Sequence, residues 1–357
     1  MDIEKQQIQP QFMVCVRCIT FNHANYIEDA MNGFTMQGTN FPFVCTILDD
    51  ASTDGEQEVI KKYLQEHFDL ENKSVVRNEE TDDYILTFAQ HKTNRNCYFA
   101  VLYLKYNHYS IKKPKDQYIK EWLDVKYIAL CEGDDYWTHP QKLQKQVDFL
   151  EIHKDYSCCC HRFNIYYENT DSWTDDFGGR TFAKYPNAKG IEVSNSLNFR
   201  TRFTWTLTLC FRKSVYDSID WPPYKYGRKD FNFHYNLLKK GKCWCFVDNM
   251  GVYRKHNGGV WSKLSLIDGA YHRLDCYEDL YKFHPTDKDI KECYLFWLDK
   301  FYNEFVIPPF RQHKLTRDSM KNLCYYLRHC RKAKCPFYTV FKNSTKCVVA
   351  LFGIKRV

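Results

Sequence analysis

The sequence predicts an α/β protein built on a mostly parallel sheet, and three observations lead there. Apolar runs of strand length alternate with stretches of helical periodicity through the first half of the chain, the runs end in short polar or acidic loops, and the last hundred residues lose the strand signal and turn helical. Alternating strands and helices pack as a parallel sheet covered on both faces. Ligands of such sheets sit at the carboxyl ends of the strands.

The elements follow in order. Met13 to Ile19 reads as a strand that ends in Thr20-Phe21-Asn22-His23, and Ile27, Ala30, Met31 and Phe34 mark a helix stopped by Gly38. Phe43 to Leu48 is a second strand, running into Asp49-Asp50-Ala51-Ser52-Thr53-Asp54-Gly55-Glu56. There Thr53 and Glu56 have the spacing of a capping box for the helix carrying Ile60, Tyr63 and Leu64. A short strand is expected at Ser74 to Arg77 and a helix around Cys97, Ala100, Val101 and Leu104, followed by a Lys-rich loop at Lys112 to Lys115. Tyr127 to Leu130 is the next strand. Behind it, Thr138 and Gln141 form another capping box, with Leu143, Val147 and Leu150 on one helix face. Longer strands are expected at Ser157 to Tyr167, Thr204 to Phe211 and Cys243 to Tyr253, with a helix opened by Arg228-Lys229-Asp230 and closed by Gly241.

Beyond Ser262 the pattern is helical. Thr286 and Asp289 are expected to cap a helix whose broad face, from Ile290 to Phe305, packs on the preceding α/β domain. A further helix sets Met320, Leu323, Cys324 and Leu327 on its apolar side, and a last one after Pro336 sets Phe337, Val340, Phe341, Val348 and Leu351 against Lys342, Lys346, Lys355 and Arg356. The expected division is therefore an α/β domain over 1–262 and a basic helical extension over 263–357.

Composition bounds the function. At 357 residues with 44% hydrophobic and 17% aromatic residues, the chain can bury a large core. The mean hydropathy of -0.59 excludes a membrane-spanning bundle. Met1 to Phe12 is too polar for a signal peptide, which leads to the expectation of a cytoplasmic protein whose 17 cysteines stay reduced. Cys15 and Cys18 form a CxxC, yet residues three apart on a strand point to opposite faces and cannot share a metal, and Cys158-Cys159-Cys160-His161 has the same defect. The net charge of +7 resides in the tail, because Arg311 to Val357 holds twelve Lys or Arg against one acid, Asp318. Basic amphipathic helices of this kind suit an anionic membrane surface, while no nucleic-acid-binding module surrounds the charges.

The chemistry concentrates in Glu132-Gly133-Asp134-Asp135-Tyr136-Trp137, where an apolar strand delivers two carboxylates into a turn. Hard divalent cations such as Mg²⁺ or Mn²⁺ are held by one or two carboxylates and leave the remaining positions to water and substrate phosphates. Thr20 to Asn22, Asp49 to Asp50 and Asp134 to Asp135 all follow strands, so the three loops are expected to open on one edge of the sheet, where a crevice accommodates a nucleotide. Asp50 is placed there to accept hydrogen bonds from a base.

With these residues in view, Met13 to Ser262 resembles the inverting glycosyltransferases of family 2, of GT-A fold. The resemblance rests on Thr20-Phe21-Asn22-His23, on Asp49-Asp50-Ala51-Ser52-Thr53-Asp54-Gly55, on Glu132 to Trp137, and on Tyr253-Arg254-Lys255-His256 with Gly258-Gly259-Val260-Trp261-Ser262. It implies a nucleotide-sugar donor, a UDP-sugar by expectation, and a saccharide or lipid-linked saccharide acceptor in surface polysaccharide assembly. It further implies that Asp135 binds Mn²⁺ or Mg²⁺, that Asp134 lies near the ribose or the metal, and that His256 touches the metal or the diphosphate. Thr20, Phe21, Asn22, Asp49 and Asp50 then hold the nucleotide, Glu132, Trp137 and Trp261 face the substrate, and Asp230 is the catalytic base. Two other readings stand beside it: a sugar nucleotidyltransferase, which calls for a Gly-rich phosphate loop where this chain has Thr20-Phe21-Asn22-His23-Ala24-Asn25, and a binding module of the same fold without catalysis.

Overall fold

The computed structural model describes residues 11–176, 178–225, 230–259 and 264–352. They form two compact units. Unit 1 takes the described residues of Met1–Ser194, Thr201–Ile219 and Asn236–His256, and unit 2 those of Asn195–Arg200, Asp220–Tyr235 and Asn257–Val357.

Unit 1 is organised by one sheet. Its strands are β1 (Val14–Thr20), β2 (Phe43–Asp49), β3 (Phe68–Asp69), β4 (Arg77–Glu80), β5 (Tyr84–His91), β6 (Cys97–Leu104), β7 (Tyr127–Leu130), β8 (Tyr136–Trp137), β9 (Tyr156–Tyr167), β10 (Ser172–Asp175), β11 (Gly190–Glu192), β12 (Cys210–Arg212) and β13 (Lys242–Lys255). The main order is β11-β13-β9-β12-β7-β1-β2-β6-β5-β3. At its centre β7, β1, β2 and β6 run parallel, as the alternation predicts, and antiparallel ladders extend the sheet on both sides.

Register is what assembles the site. Thr20 pairs with Asp49 and Asp49 with Tyr103, so β1, β2 and β6 end level with one another. The amides of Cys131 and Gly133 continue the β7 ladder by donating to the carbonyls of Arg17 and Ile19, each at 3.2 Å. The loops after β1, β2 and β7 therefore leave from the same edge.

Helices α1 (Ile27–Thr35), α2 (Glu56–His67) and α3 (Lys142–Ile152) cover one face of this centre, in a core with Phe34, Ile60, Tyr63, Leu143 and Val147. The other face packs Leu48, Leu86 and Phe88 against Ile119 and Trp122 of a 3₁₀ segment, Asp116–Leu123. Cys15 belongs to this second core and Cys18 to the first, which is the opposite-face arrangement expected of a CxxC on a strand.

Four local expectations fail for physical reasons. Cys97 to Leu104 is a strand rather than a helix, buried along its whole length, and a central strand covered on both faces shows no alternation to set it apart from a buried helix. The strand expected at Ser74 to Arg77 lies at Arg77–Glu80, where it pairs with β5. Neither predicted capping box forms: α2 starts at Gly55 in the left-handed region (φ 92°) and uses Glu56 elsewhere, while α3 starts after Gln141 without a side-chain cap. Of Thr204 to Phe211, only the end enters β12.

Four further helices, α4 (Gly179–Phe182), α5 (Asn195–Thr201), α6 (Lys213–Asp217) and α7 (Asp230–Lys240), lie along the second half of the sheet-forming sequence. Unit 2 is then helical: α8 (Leu266–Phe283), α9 (Lys288–Phe301), α10 (Ile307–Arg311), α11 (Arg317–Lys332) and α12 (Phe337–Phe352). Its core is aromatic, with Tyr277, Tyr294, Tyr302 and Phe301, and the apolar face of α9 is spent inside this unit. The α9 cap is Asp287, which accepts from the Ile290 amide at 3.1 Å, in place of the expected Thr286. Helix α11 is rotated from its predicted face. Met320 and Leu327 are 46% and 37% exposed, whereas Asn322, Tyr326, His329 and Cys330 point inward.

Candidate active site at the strand ends

The turn after β7 depends on Gly133. A Cβ there would lie 2.1 Å from Thr20 Oγ1, so only glycine lets the acidic loop come down against the end of β1. Two carboxylates with opposite surroundings result. Asp135 is buried, and its Oδ1 accepts the Arg254 amide at 2.9 Å. Burial, followed by the Asp134 charge, pushes its pKa well above the carboxylate range. Asp134 is reached by solvent and points its Oδ2 at two imidazoles, His256 Nε2 at 3.1 Å and His23 Nε2 at 3.7 Å. Burial works against its charge, but the bond to His256 and the two rings hold its pKa below the usual value. Adjacent acids are thus driven apart in protonation, the common preparation of a site for chemistry.

The imidazoles are aimed by other groups. His23 Nδ1 sits 3.1 Å from Thr20 Oγ1, its backbone amide donates to Glu56 Oε2 at 2.9 Å, and Thr20 also bonds Glu56. That leaves Nε2 facing Asp134, and burial keeps the His23 ring below its ordinary pKa, on the neutral side that ligates metals. His256 follows Arg254 by two residues from the end of β13. Arg254 is fixed by Asp29 at 2.6 Å, by the Asp134 carbonyl at 3.2 Å, and by the rings of Tyr26 and Tyr136, 4.7 and 5.0 Å from its guanidinium carbon.

Two donor sets share Asp134. One atom each from His23, Asp134 and His256 lie within 4.8 Å of one another, and so do atoms from Glu132, Asp134 and Asp135. Either suits a divalent ion; the first adds borderline nitrogen donors to oxygen, and the second is all oxygen. His23 was not among the sequence candidates. Its signal was present, an imidazole directly after Thr20-Phe21-Asn22, but only the fold brings it 111 residues along the chain to Asp134.

The acids after β2 are arranged differently. Asp50 accepts from the His108 and Tyr109 amides at 2.7 and 3.1 Å and from Lys115 Nζ at 2.5 Å. Asp49 is buried and accepts from the Ser52 amide at 3.3 Å and from Gln57 Nε2 at 2.5 Å, with burial raising its pKa. Asn22, at φ 57°, accepts the Thr53 amide at 2.8 Å, and Ser52 Oγ accepts the Asn22 amide at 2.8 Å, lacing the loops after β1 and β2 together.

Thr20 is 1% exposed and engaged with His23 and Glu56, so its side chain orients the site instead of presenting itself to a base. Phe21, 41% exposed, offers a free ring at that edge. Glu132 is exposed beside Asp134. Trp137 departs from the expectation of substrate contact: it has no exposed surface, its Nε1 donates to the Leu207 carbonyl at 2.8 Å, and it packs under the loop against Phe34. An apolar ring right after a polar turn is equally suited to either role, and here the sheet claims it. Asp230 is exposed at the first position of α7, among the residues of unit 2, and Trp261 lies outside the described residues. Sequence reasoning also missed Glu56, read as a cap, and Lys115, read as part of a loop.

No family model matches the chain. The uncharacterized proteins Rv1520 of Mycobacterium tuberculosis and Mb1547 of Mycobacterium bovis are each 29% identical to it over 244 residues, which is 68% of this chain and 59% of theirs. The match thus spans less than two thirds of these curated relatives. Among solved structures, S. aureus TarS 1-349 in complex with UDP-GlcNAc superposes with a TM-score of 0.57 at 14% identity, covering 95% of this chain and 89% of that one. The same protein in complex with UDP gives 0.53 at 13% identity over the same shares. At such identities the likeness establishes the fold: a mixed sheet with a parallel centre, flanked by helices and followed by a helical region.

Proposed function

We propose that this chain is a metal-dependent glycosyltransferase that moves a sugar from a nucleotide diphosphate donor to a hydroxyl of a saccharide or lipid-linked saccharide, with inversion, as a family 2 enzyme of GT-A fold does. The observation that carries the reading is Asp134 at the exit of a central parallel strand, facing two imidazoles and level with the loops after β1 and β2. The fold likeness to TarS, a structure with UDP-GlcNAc bound, supports a UDP-sugar as the donor.

Breaking a sugar–diphosphate bond leaves charge on the departing oxygen, and a divalent ion, Mn²⁺ or Mg²⁺, supplies the Lewis acid that stabilises it. Asp134 would hold that ion, with His256 and His23 or with Glu132 and Asp135, the residue to which the family resemblance assigns it. Phe21 stacks on the base. Asp50 takes a hydrogen bond from the base through whichever lone pair Lys115 and the two amides leave open. Inversion needs a single base opposite the leaving group, and Asp230 receives the proton of the acceptor hydroxyl. The catalytic part is 1–262 and the extension 263–357.

The test is turnover of a panel of nucleotide sugars by the purified chain with Mn²⁺ or Mg²⁺. Asp230→Asn lowers turnover by about 10²- to 10⁴-fold while nucleotide binding persists. Near-normal turnover by that variant removes Asp230 from the mechanism, and binding without turnover of any donor leaves a binding module.

The lipid-linked acceptor draws support from α12. Phe337, Tyr338 and Phe341 are 83%, 70% and 59% exposed on a helix that also carries Lys342 and Lys346, a pattern suited to an anionic bilayer interface. The described residues contain no helix long and apolar enough to cross a membrane. Sedimentation with anionic liposomes is expected for the full chain and lost in a Phe337→Ser/Phe341→Ser variant; equal sedimentation of both removes this surface from the proposal.

A further inference from the structure

The inward face of α11 carries a second donor cluster, within unit 2 and separate from the strand-end loops. Asp275 and Glu278 lie three residues apart on α8, so both carboxylates leave the same side of that helix. His329 of α11 meets them, with Nε2 3.4 Å from Asp275 Oδ1 and 3.6 Å from Glu278 Oε2. One atom from each of the three lies within 4.8 Å of the others.

Two features separate this cluster from ordinary surface acids. First, His329 has no exposed surface, and its Nε2 makes no hydrogen bond; neither does Glu278 Oε2. Buried polar atoms are seldom left in that state without a ligand to satisfy them. Second, the outer groups are already in place. His329 Nδ1 is 2.5 Å from the Tyr294 hydroxyl, and Asp275 Oδ1 accepts from the Tyr325 hydroxyl at 2.7 Å. Partners of that kind fix the ring and the carboxylate of metal-binding residues.

The spacing discriminates between an ion pair and an ion. A protonated imidazole paired with a carboxylate closes to about 2.7–2.9 Å, but both separations here exceed that. Ligand atoms about 2.0–2.1 Å from a tetrahedral ion stand roughly 3.3–3.4 Å apart. Arg328 and Lys332 currently hold the outer edge of the carboxylates, Arg328 at 3.8 and 3.6 Å and Lys332 on the other Glu278 oxygen. Their side chains are 55% and 41% exposed and free to turn to solvent.

We propose that Asp275, Glu278 and His329 bind a borderline transition-metal dication of the Zn²⁺ type, with water as the fourth ligand, and that the ion fastens α8 to α11. Two carboxylates and an imidazole match such an ion better than Ca²⁺ or Mg²⁺, which prefer oxygen alone. The site stands independently of the glycosyltransferase reading.

The test uses the full chain, stripped with a chelator and titrated with Zn²⁺ in a calorimeter, with Co²⁺ absorption as a second readout. In an Asp134→Asn background, which disables the strand-end sets, one equivalent of Zn²⁺ is expected, and adding Asp275→Asn with Glu278→Gln abolishes it. Arg328→Ala, at an exposed position, removes a competing charge and tightens Zn²⁺ about two- to fivefold. No Zn²⁺ uptake by the Asp134→Asn chain, or uptake undiminished by the double substitution, overturns the proposal. Should the double variant fail to fold by circular dichroism, Arg328→Ala decides: unchanged or weaker Zn²⁺ affinity overturns it as well.

Discussion

The loop after β2 and the loop after β7 each carry two adjacent aspartates at the end of a central parallel strand, yet they spend those carboxylates in opposite ways. Asp50 is engaged chiefly by the protein itself, with two amides and an ammonium from the 108–115 segment on three of its acceptor positions. Asp134 is faced by imidazoles and reached by solvent, in a donor set of the kind that could share a cation. Paired acids alone therefore do not define a metal site. What decides is whether neighbouring elements bring donors that consume the carboxylate or further ligands that share an ion with it.

The comparison is broken most directly at Asp134. Asp134→Asn removes the residue common to both donor sets, and loss of metal affinity beyond the roughly 10- to 100-fold that an outer-shell partner costs is expected by calorimetry with Mn²⁺. Retention of full affinity would falsify the assignment of the ion to this loop.

A second variant sharpens the other side. Lys115→Met leaves Asp50 with its amides only and is expected to cost about 1.5–3 kcal/mol in urea unfolding, with Mn²⁺ affinity unchanged. If the metal affinity falls instead, the two loops are not separable in the way their bonds indicate.

The smallest effect comes from the floor beneath the Asp134 loop. Lys142 has no exposed surface, with its Nζ 3.8 Å from the centre of the Trp137 ring and bonded to Gln146 at 2.7 Å. Burial lowers its pKa from 10.5 to about 8. The charged form is therefore penalised in the fold, fully below pH 8 and progressively less toward 10.5. Lys142→Met is expected to stabilise the protein at pH 7 by a net amount on the order of 1 kcal/mol once the lost contacts are counted. The gain shrinks as pH rises through that window. Urea melts at pH 7 and pH 10 check it, and a gain that grows with pH contradicts the burial account.

Strand-and-loop alternation was legible in the sequence because three of the four central strands read as apolar runs closed by polar turns, and the shared edge for Thr20, Asp49 and Asp134 follows from parallel register. Cys97 to Leu104 was not, since burial on both faces erases its period. His23 and Glu56 escaped for a different reason. Each sits where local rules offer a sufficient explanation, a loop residue and a helix cap, and their partners lie on other elements. The inward turn of α11 was hidden likewise: its buried residues include Tyr326 and His329, whose polar atoms are satisfied or positioned only by other helices. Apolar periodicity selected a side on which Met320, Cys324 and Leu327 face solvent while Leu323 packs against the core.

Arg254 carries a consequence for how the site tolerates change. Its guanidinium lies near two tyrosine rings while its nitrogens grip Asp29 and the Asp134 carbonyl, so a helix, a turn and β13 meet at one planar group. Lysine would keep the charge and lose both the plane and the forked donors. Because residues two apart along a strand share a face, whatever displaces Arg254 displaces the base from which His256 reaches Asp134. The alignment of the imidazole is thus inherited from Arg254 and its partners, and mutational drift at Tyr26, Tyr136 or Asp29 would be felt at the His256–Asp134 contact as misalignment before it was felt as lost stability.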